Sequence, residues 1–417
     1  MSEVDRIGAT YLLRTRLDPE RAAKVIAGEQ SSGTFVSLPG ETAELTKRAA
    51  ARVEALEEIE DSGAPPLPGA TGDGELRSFR LRITWPLANI GPSLPNLMAT
   101  LAGNLYELRE VAGLKLLDID LPEVFLDRYA GPAFGISGTR ELSGVEASKP
   151  LIGTIIKPSV GLSPQDTAEL VEELCQGGID FIKDDELQAD GPACPFDERA
   201  RSVLRVIDAH AQRTGKRVMY AVNITDEIDE MRRKHDIVAE MGGTCVMVSL
   251  NSLGVVGLAA LRSHARLPIH GHRNGWGYLG RSPDNGWGFQ AWQKIWRVAG
   301  VDHLHVNALA NKFWEDDDSV VSSARACLSP LFPERAWQAM PVFSSGQTIR
   351  QVPETWQRVG SADLIHCAGG GIVAHPGGVP AGVAAMRAAW EAAQAGTTLA
   401  EAAKDTPELA TALEAFK

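Results

Sequence analysis

Residues 151–186 read LIGTIIKPSVGLSPQDTAELVEELCQGGIDFIKDDE. An apolar run bounded by turn residues opens the stretch, apolar positions at helical spacing follow, a pair of glycines closes them, and a second apolar run ends the segment. Short apolar runs between Gly- and Pro-rich breaks are the pattern of strands buried on both faces, and the spacing between them is that of an amphipathic helix closed by glycine. The unit is therefore strand, helix, strand. The same rhythm continues through VMYAVNIT (218–225), TCVMVSL (244–250), LPIHGHR (267–273), HLHVNAL (303–309), MPVFSSG (340–346) and DLIHCAGGG (363–371). Eight such strands with intervening helices over roughly 250 residues is what a (β/α)8 barrel requires. A doubly wound open sheet stays as the alternative, because spacing alone does not show closure. The tail from residue 384 is alanine-rich helix, expected to pack outside the barrel.

Upstream the rhythm differs. IGATYLLRTRL reads as a strand, DPERAAKVIAGEQ as a helix with an aspartate at its start, SFRLRITWPL as a strand and LPNLMATLAGNLYELREV as an amphipathic helix. The Gly- and Pro-rich stretch 60–75 reads as a surface loop. We therefore expect an α/β chain in two parts: an α+β domain over 1–130, and a catalytic (β/α)8 TIM barrel with C-terminal helices over 131–417. A length of 417 residues fits two domains. The net charge of −13 argues against nucleic acid and anionic membrane as partners. An anionic substrate would then need local cations or a metal to hold it. Five scattered cysteines without CxxC spacing point to a reducing compartment and to neither a disulfide framework nor a zinc site. With no apolar segment of signal-peptide or membrane-spanning length, the sequence reads as cytoplasmic.

Catalytic groups of such barrels sit at the C-terminal ends of the strands, and most of these strands end in reactive side chains. The first ends at Lys157, the second at Lys183-Asp184-Asp185-Glu186, and the fifth at His270-Gly271-His272-Arg273. The sixth carries His303 and His305, the seventh ends in Ser-Ser-Gly and the eighth in glycines. Any one of these histidines, taken alone, is more often a core residue than a ligand. Lys183 and Asp185, two apart on a strand, share a face, and Glu186 can curl back to the same point. Two carboxylates offer hard oxygens suited to Mg²⁺. A lysine buried enough to lose its proton can react with CO2, turning from cation to carbamate. A plain buried Lys–Asp ion pair is the alternative.

GGIDFIKDDE resembles the activation motif of the RuBisCO large-chain family, which includes the RuBisCO-like proteins, and the resemblance runs through nearly the whole chain. It implies a ferredoxin-like N-terminal domain and Mg²⁺ held by carbamylated Lys183, Asp185 and Glu186. GTIIKPSVGLS resembles the first barrel strand, with Lys157 moving a proton. HGHR implies His272 as a catalytic or substrate residue and Arg273 as a phosphate ligand, and HLHVN implies His305 on the phosphate side. NALANKF resembles the mobile loop, with Lys312. SSGQ and AGGG resemble phosphate-binding strand ends, implying Ser345, Gly346, Gln347, Gly369 and Gly370. GEQSSGTF and AGNLY imply Glu29, Thr34 and Asn104, which in the family reach a neighbouring subunit's site, so a homodimer follows.

The sequence departs from the carboxylases where Lys157-Pro158-Ser159 replaces Lys-Pro-Lys, and at Ile155, Gln347 and Ser249-Leu250-Asn251. Loss of the second lysine argues against net carboxylation of ribulose bisphosphate. The methionine-salvage enolases of the family use a lysine where Asn104 stands here, and PNLMATLAGNLYELREVA contains none. The favoured branch takes 3-oxo-isoapionate 4-phosphate to 3-phosphoglycerate and glycolate. Methionine-salvage enolisation and a non-catalytic phosphate-ligand binding protein are the alternatives.

Overall fold

The computed structural model describes residues 5–32, 40–333 and 335–417. Strands among them are, in chain order, β1 (Arg6–Thr15), β2 (Arg52–Ile59), β3 (Arg77–Pro86), β4 (Gly113–Asp120), β5 (Leu151–Ile155), β6 (Phe181–Lys183) and β7 (Met219–Asn223). They continue with β8 (Cys245–Ser249), β9 (Ile269–His272), β10 (Asn285–Trp287), β11 (His303–Asn307), β12 (Met340–Phe343) and β13 (Ile365–Cys367). The chain divides into two compact units, Met1–Ala130 with Gly275–Ala299, and Gly131–Asn274 with Gly300–Lys417.

In the first unit β4, β1, β3 and β2 lie side by side, each antiparallel to its neighbour, which is the ferredoxin-like order. Alternation along β1 puts Ile7, Ala9, Tyr11 and Leu13 in the core. The expected N-terminal helix runs Pro19–Glu29, with the Asp18 side chain accepting from Arg21 N–H. The second helix is shorter than its apolar pattern implied. It stops at Ala102, because Gly103 takes a non-helical backbone whose added Cβ would lie 2.4 Å from the Ala99 carbonyl oxygen. A short 3₁₀ turn, Asn104–Glu107, follows. The loop 60–75 has no regular structure but is tied down, for Asp61 pairs with the fully buried Arg14, which also holds Asp284. Residues 275–299 thus leave the barrel sequence to complete this unit: β10 adds to the sheet parallel to β4.

The second unit is a closed barrel. Its eight strands run in parallel from β5 through β9 and then β11 to β13, and β13 pairs back with β5. Closure rules out the open sheet. The crossover helix Pro164–Gln176 starts on a capping box, Ser163 and Asp166 each bonding the other's backbone N–H, and ends where Gly178 takes a positive φ. Leu151, Phe181, Met219, Met247, Val342 and Cys367 fill the interior. Gly153 is needed there, since a Cβ would sit 2.9 Å from the Cys367 sulfur. The strands are shorter than the apolar runs suggested. Lys157, Asp185, Glu186, Arg273, Ser345 and Gly369 all lie just past a strand end, where the backbone peels away from the ladder. The helix Val379–Ala395 packs against the helix Pro164–Gln176 outside the barrel.

Candidate active site

The β6 end answers the question raised by its lysine and three acids. Alternation with the interior residue Phe181 turns Lys183, the last residue of β6, to the barrel interior, and Asp184 and Asp185 follow just past the strand. Asp184 is fully buried between Arg199, whose Nη2 is 3.2 Å away, and the Tyr220 hydroxyl, which donates to it; the Asn223 N–H donates at 2.9 Å. Asp184 is therefore a scaffold under the site. Asn223 Nδ2 also donates to the Asp185 and Glu186 carbonyls, at 3.2 and 3.4 Å, fixing the backbone that presents both acids.

Lys183 Nζ donates to the Asp184 carbonyl at 2.7 Å and lies 3.9 Å from Glu186 Oε2. Its side chain is 1 % exposed, and burial lowers its pKa against the opposing pull of Glu186 and Asp185. Asp185 is held by Lys157 Nζ at 2.6 Å and by the Leu187 N–H at 3.2 Å. Burial works against its carboxylate, but the Lys157 hydrogen bond and the neighbouring ammonium charge outweigh this, so its pKa is lowered. Lys157 also donates to Ser159 Oγ at 2.7 Å, so the serine that replaces a family lysine serves as an acceptor. The Asp185 and Glu186 carboxylates offer hard oxygens, and burial eases the loss of the Lys183 proton that a carbamate requires, so the donor set fits a hard divalent cation.

His272 closes the group. Its Nε2 faces Glu186 Oε2 at 3.4 Å and its Nδ1 accepts the Asn274 N–H at 3.2 Å, which leaves the proton on Nε2. Burial, then the nearby Lys183 charge, pushes its pKa down to about 4. His305 lies beside it, ring centroids 4.4 Å apart. Both His305 nitrogens are engaged, Nε2 with His270 Nε2 at 2.7 Å and Nδ1 with Ser344 Oγ at 3.0 Å. His303, lower in the barrel, bonds Thr139 Oγ1 at 2.7 Å and is a core histidine.

Arg273 is buried and donates to Glu315, which also receives Asn307 Nδ2 at 3.2 Å and Ser319 Oγ at 3.0 Å. Lys312 is exposed, with its ammonium 5.2 Å over the Phe313 ring. A Cβ added at Gly346 would lie 3.6 Å from Lys312 Cβ, and one at Gly369 would lie 3.6 Å from Lys157 Cε. Lysines thus flank the glycine turns that end β12 and β13, with Gly370 next in line. Ser345 takes φ 100° with its hydroxyl buried and unpartnered. Gln347 turns inward and donates to the Leu309 and Ser345 carbonyls, both at 3.1 Å.

The structure therefore brings Lys157, Lys183, Asp185, Glu186, His272 and His305 into one connected set, and adds Ser159, Ser344, His270 and Glu315, which sequence reasoning had not assigned. Strand alternation pointed to His270; nothing in the sequence marked Glu315 as the partner of Arg273. In the first unit Asn104 Nδ2 donates to Glu29 Oε1 at 3.3 Å. Thr34 lies outside the described residues. A separate cluster, His235, Asp236 and His264, is a hydrogen-bonded knot. His235 Nε2 accepts the Arg266 N–H at 3.0 Å, so its Nδ1 carries the proton and donates to Asp236, which leaves no lone pair there for a metal.

The family model for the ribulose bisphosphate carboxylase large chain, catalytic domain, matches residues 135–416, and that for the N-terminal domain matches residues 5–125. A 3-oxo-isoapionate-4-phosphate transcarboxylase/hydrolase of Xanthobacter autotrophicus is 58 % identical over 98 % of this chain and 99 % of its own length. A 3-oxo-isoapionate-4-phosphate decarboxylase of Rhizobium etli is 46 % identical over 98 % of each chain. Among solved structures, a rubisco-like protein from Burkholderia fungorum superposes with a TM-score of 0.92 at 46 % identity, over 99 % of this chain and 100 % of the other. A dimeric archaeal Rubisco from Hyperthermus butylicus gives 0.86 at 30 % identity, over 100 % and 97 %. The chain belongs to the RuBisCO large-chain family.

Proposed function

We propose that this chain is an enzyme of the RuBisCO-like branch that converts 3-oxo-isoapionate 4-phosphate, with one water, to 3-phosphoglycerate and glycolate. The observation that carries the reading is the convergence of Lys157, Lys183, Asp185, Glu186 and His272 at one barrel mouth, in a chain 58 % identical throughout to a relative of that name. Carbamylated Lys183 with Asp185 and Glu186 would hold Mg²⁺, which when bound draws charge from a ketone or enediolate oxygen.

The chain's own groups do the rest. Lys157, poised between Asp185 and Ser159, returns a proton to carbon. His272, neutral with its proton on Nε2, donates a hydrogen bond toward the reacting oxygens and orients Glu186. Asp184, Arg199, Tyr220 and Asn223 keep the two acids in place, so little reorganisation is needed when charge develops. Lys312 holds the carboxylate that moves, and Ser345, Gly346, Gln347, Gly369 and Gly370 form the phosphate end. Glu29, Thr34 and Asn104 act in the site of a neighbouring subunit, making the working unit a homodimer. No helix among the described residues is long and apolar enough to cross a membrane, and the five cysteines are buried free thiols, which supports a cytoplasmic enzyme.

The test is turnover of 3-oxo-isoapionate 4-phosphate with Mg²⁺ and bicarbonate, followed by ³¹P and ¹H NMR. Release of 3-phosphoglycerate and glycolate supports the reading. Stoichiometric CO2 release without glycolate would make the chain a decarboxylase like its Rhizobium etli relative, and no reaction would refute the substrate.

A further inference from the structure

We propose that Glu315 makes the Arg273 side of the barrel mouth a receptor for an uncharged, hydroxyl-bearing end of the substrate, so that the enzyme accepts sugar-acid monophosphates and rejects bisphosphates. The proposal rests on the sugar-phosphate reading above and assigns the two ends of that substrate.

Arg273, just past β9, is the cation a phosphate would seek on this side, and its guanidinium is already joined to Glu315. Both groups are buried, Arg273 8 % and Glu315 4 % exposed, so the carboxylate cannot swing into water to make room. It is fixed from behind by Ser319 Oγ on Oε1 and Asn307 Nδ2 on Oε2. Asn307 holds that place from φ 71°, a backbone that few residues other than glycine and asparagine adopt. The guanidinium and carboxylate together carry no net charge, so a phosphate dianion brought here gains no net attraction and meets a carboxylate at close range. The adjacent His305 adds no positive charge, because it is neutral and both its nitrogens are engaged.

A hydroxyl suits the same place well. It can accept from Arg273 and donate to Glu315 or to Asn307 Oδ1, which is buried and makes no hydrogen bond. A hydroxylated carbon end therefore satisfies groups that a phosphate would leave repelled. The glycine turns that end β12 and β13 differ: the exposed Lys312 lies beside Gly346, and a Cβ at Gly370 would meet only open space. The single phosphate goes there.

The experiment uses two unreactive polyols, ribitol 5-phosphate and ribitol 1,5-bisphosphate, titrated calorimetrically into the full chain with Mg²⁺ and bicarbonate. Wild type should bind the bisphosphate no more tightly than the monophosphate. Glu315→Gln should shift that preference toward the bisphosphate by about tenfold or more, and Glu315→Asp, which keeps the charge, should not. A wild-type preference for the bisphosphate of about tenfold, or an unchanged preference in Glu315→Gln, overturns the assignment of Glu315 alone. Binding of neither polyol to wild type overturns the sugar-phosphate reading, and this proposal with it.

Discussion

His366 offers a test of how buried histidines in this barrel behave, away from the candidate site. It lies in β13 with neither ring nitrogen hydrogen-bonded, its ring edge-on to Trp390 with centroids 5.4 Å apart. Burial alone pushes its pKa down to about 4, against about 6.5 in an unfolded chain. The folded state therefore resists the proton that the unfolded state accepts. Stability from this group is full above about pH 6.5 and is lost as the pH falls toward 4. Linkage between these two values gives a loss of about 2 kcal/mol on going from about pH 7.5 to about pH 5. His366→Phe keeps a ring against Trp390 and removes the titration. Urea unfolding followed by circular dichroism at both pH values should show the variant losing about 2 kcal/mol less than wild type over this interval, with kcat unchanged. A pH slope equal to that of wild type within about 0.5 kcal/mol would refute the reasoning, since His366 would then be protonated or hydrated in the fold.

Lys183→Met keeps the volume of the buried side chain but not its amine; turnover and the dependence of melting temperature on Mg²⁺ with bicarbonate should both vanish, and retained activity would exclude the carbamate. Asp184→Asn leaves the fully buried Arg199 guanidinium without its counter-charge, which should cost about 3–5 kcal/mol in calorimetric unfolding. A loss under about 1 kcal/mol would mean that the carbonyls of Gln188, Ala189 and Cys194 satisfy Arg199 by themselves. If sites are shared across a dimer, Glu29→Ala and Lys183→Ala chains, each inactive, should regain about a quarter of wild-type activity after mixed refolding. No recovery would place Glu29 in its own subunit's site or outside any site.

Much of the barrel was legible because its strands are buried on both faces and so appear as unbroken apolar runs, with glycine punctuation between them. Period-two spacing carried two residues past the end of β6 was enough to separate Lys183 and Asp185 from Asp184. Strand lengths were overread, since polar residues such as Asp185 and Arg273 directly follow the apolar runs and no turn residue marks where the ladder ends. In the N-terminal unit β2 was not read, because RVEALEEI has no buried residue and half of its side chains are charged. β10 is too short to carry a period, and its partner β4 is remote in sequence. Within the site, side chains that use strand-end chemistry were readable, whereas Glu315 was not: its role comes from a loop that folds back on Arg273, and no spacing rule encodes that contact.

The excursion through residues 275–299 has a consequence for synthesis on the ribosome. Arg14 emerges early but one of its counter-ions, Asp284, is 270 positions later. At 5–20 residues per second that delay is on the order of 14–54 s. Until then β4 is an edge strand with open hydrogen-bonding groups, and Arg14 has only Asp61 as a counter-ion. A gene fragment ending at residue 130 would make this unfinished state permanent. Excising the N-terminal unit for engineering therefore calls for grafting residues 275–299 onto it, rather than cutting the chain once.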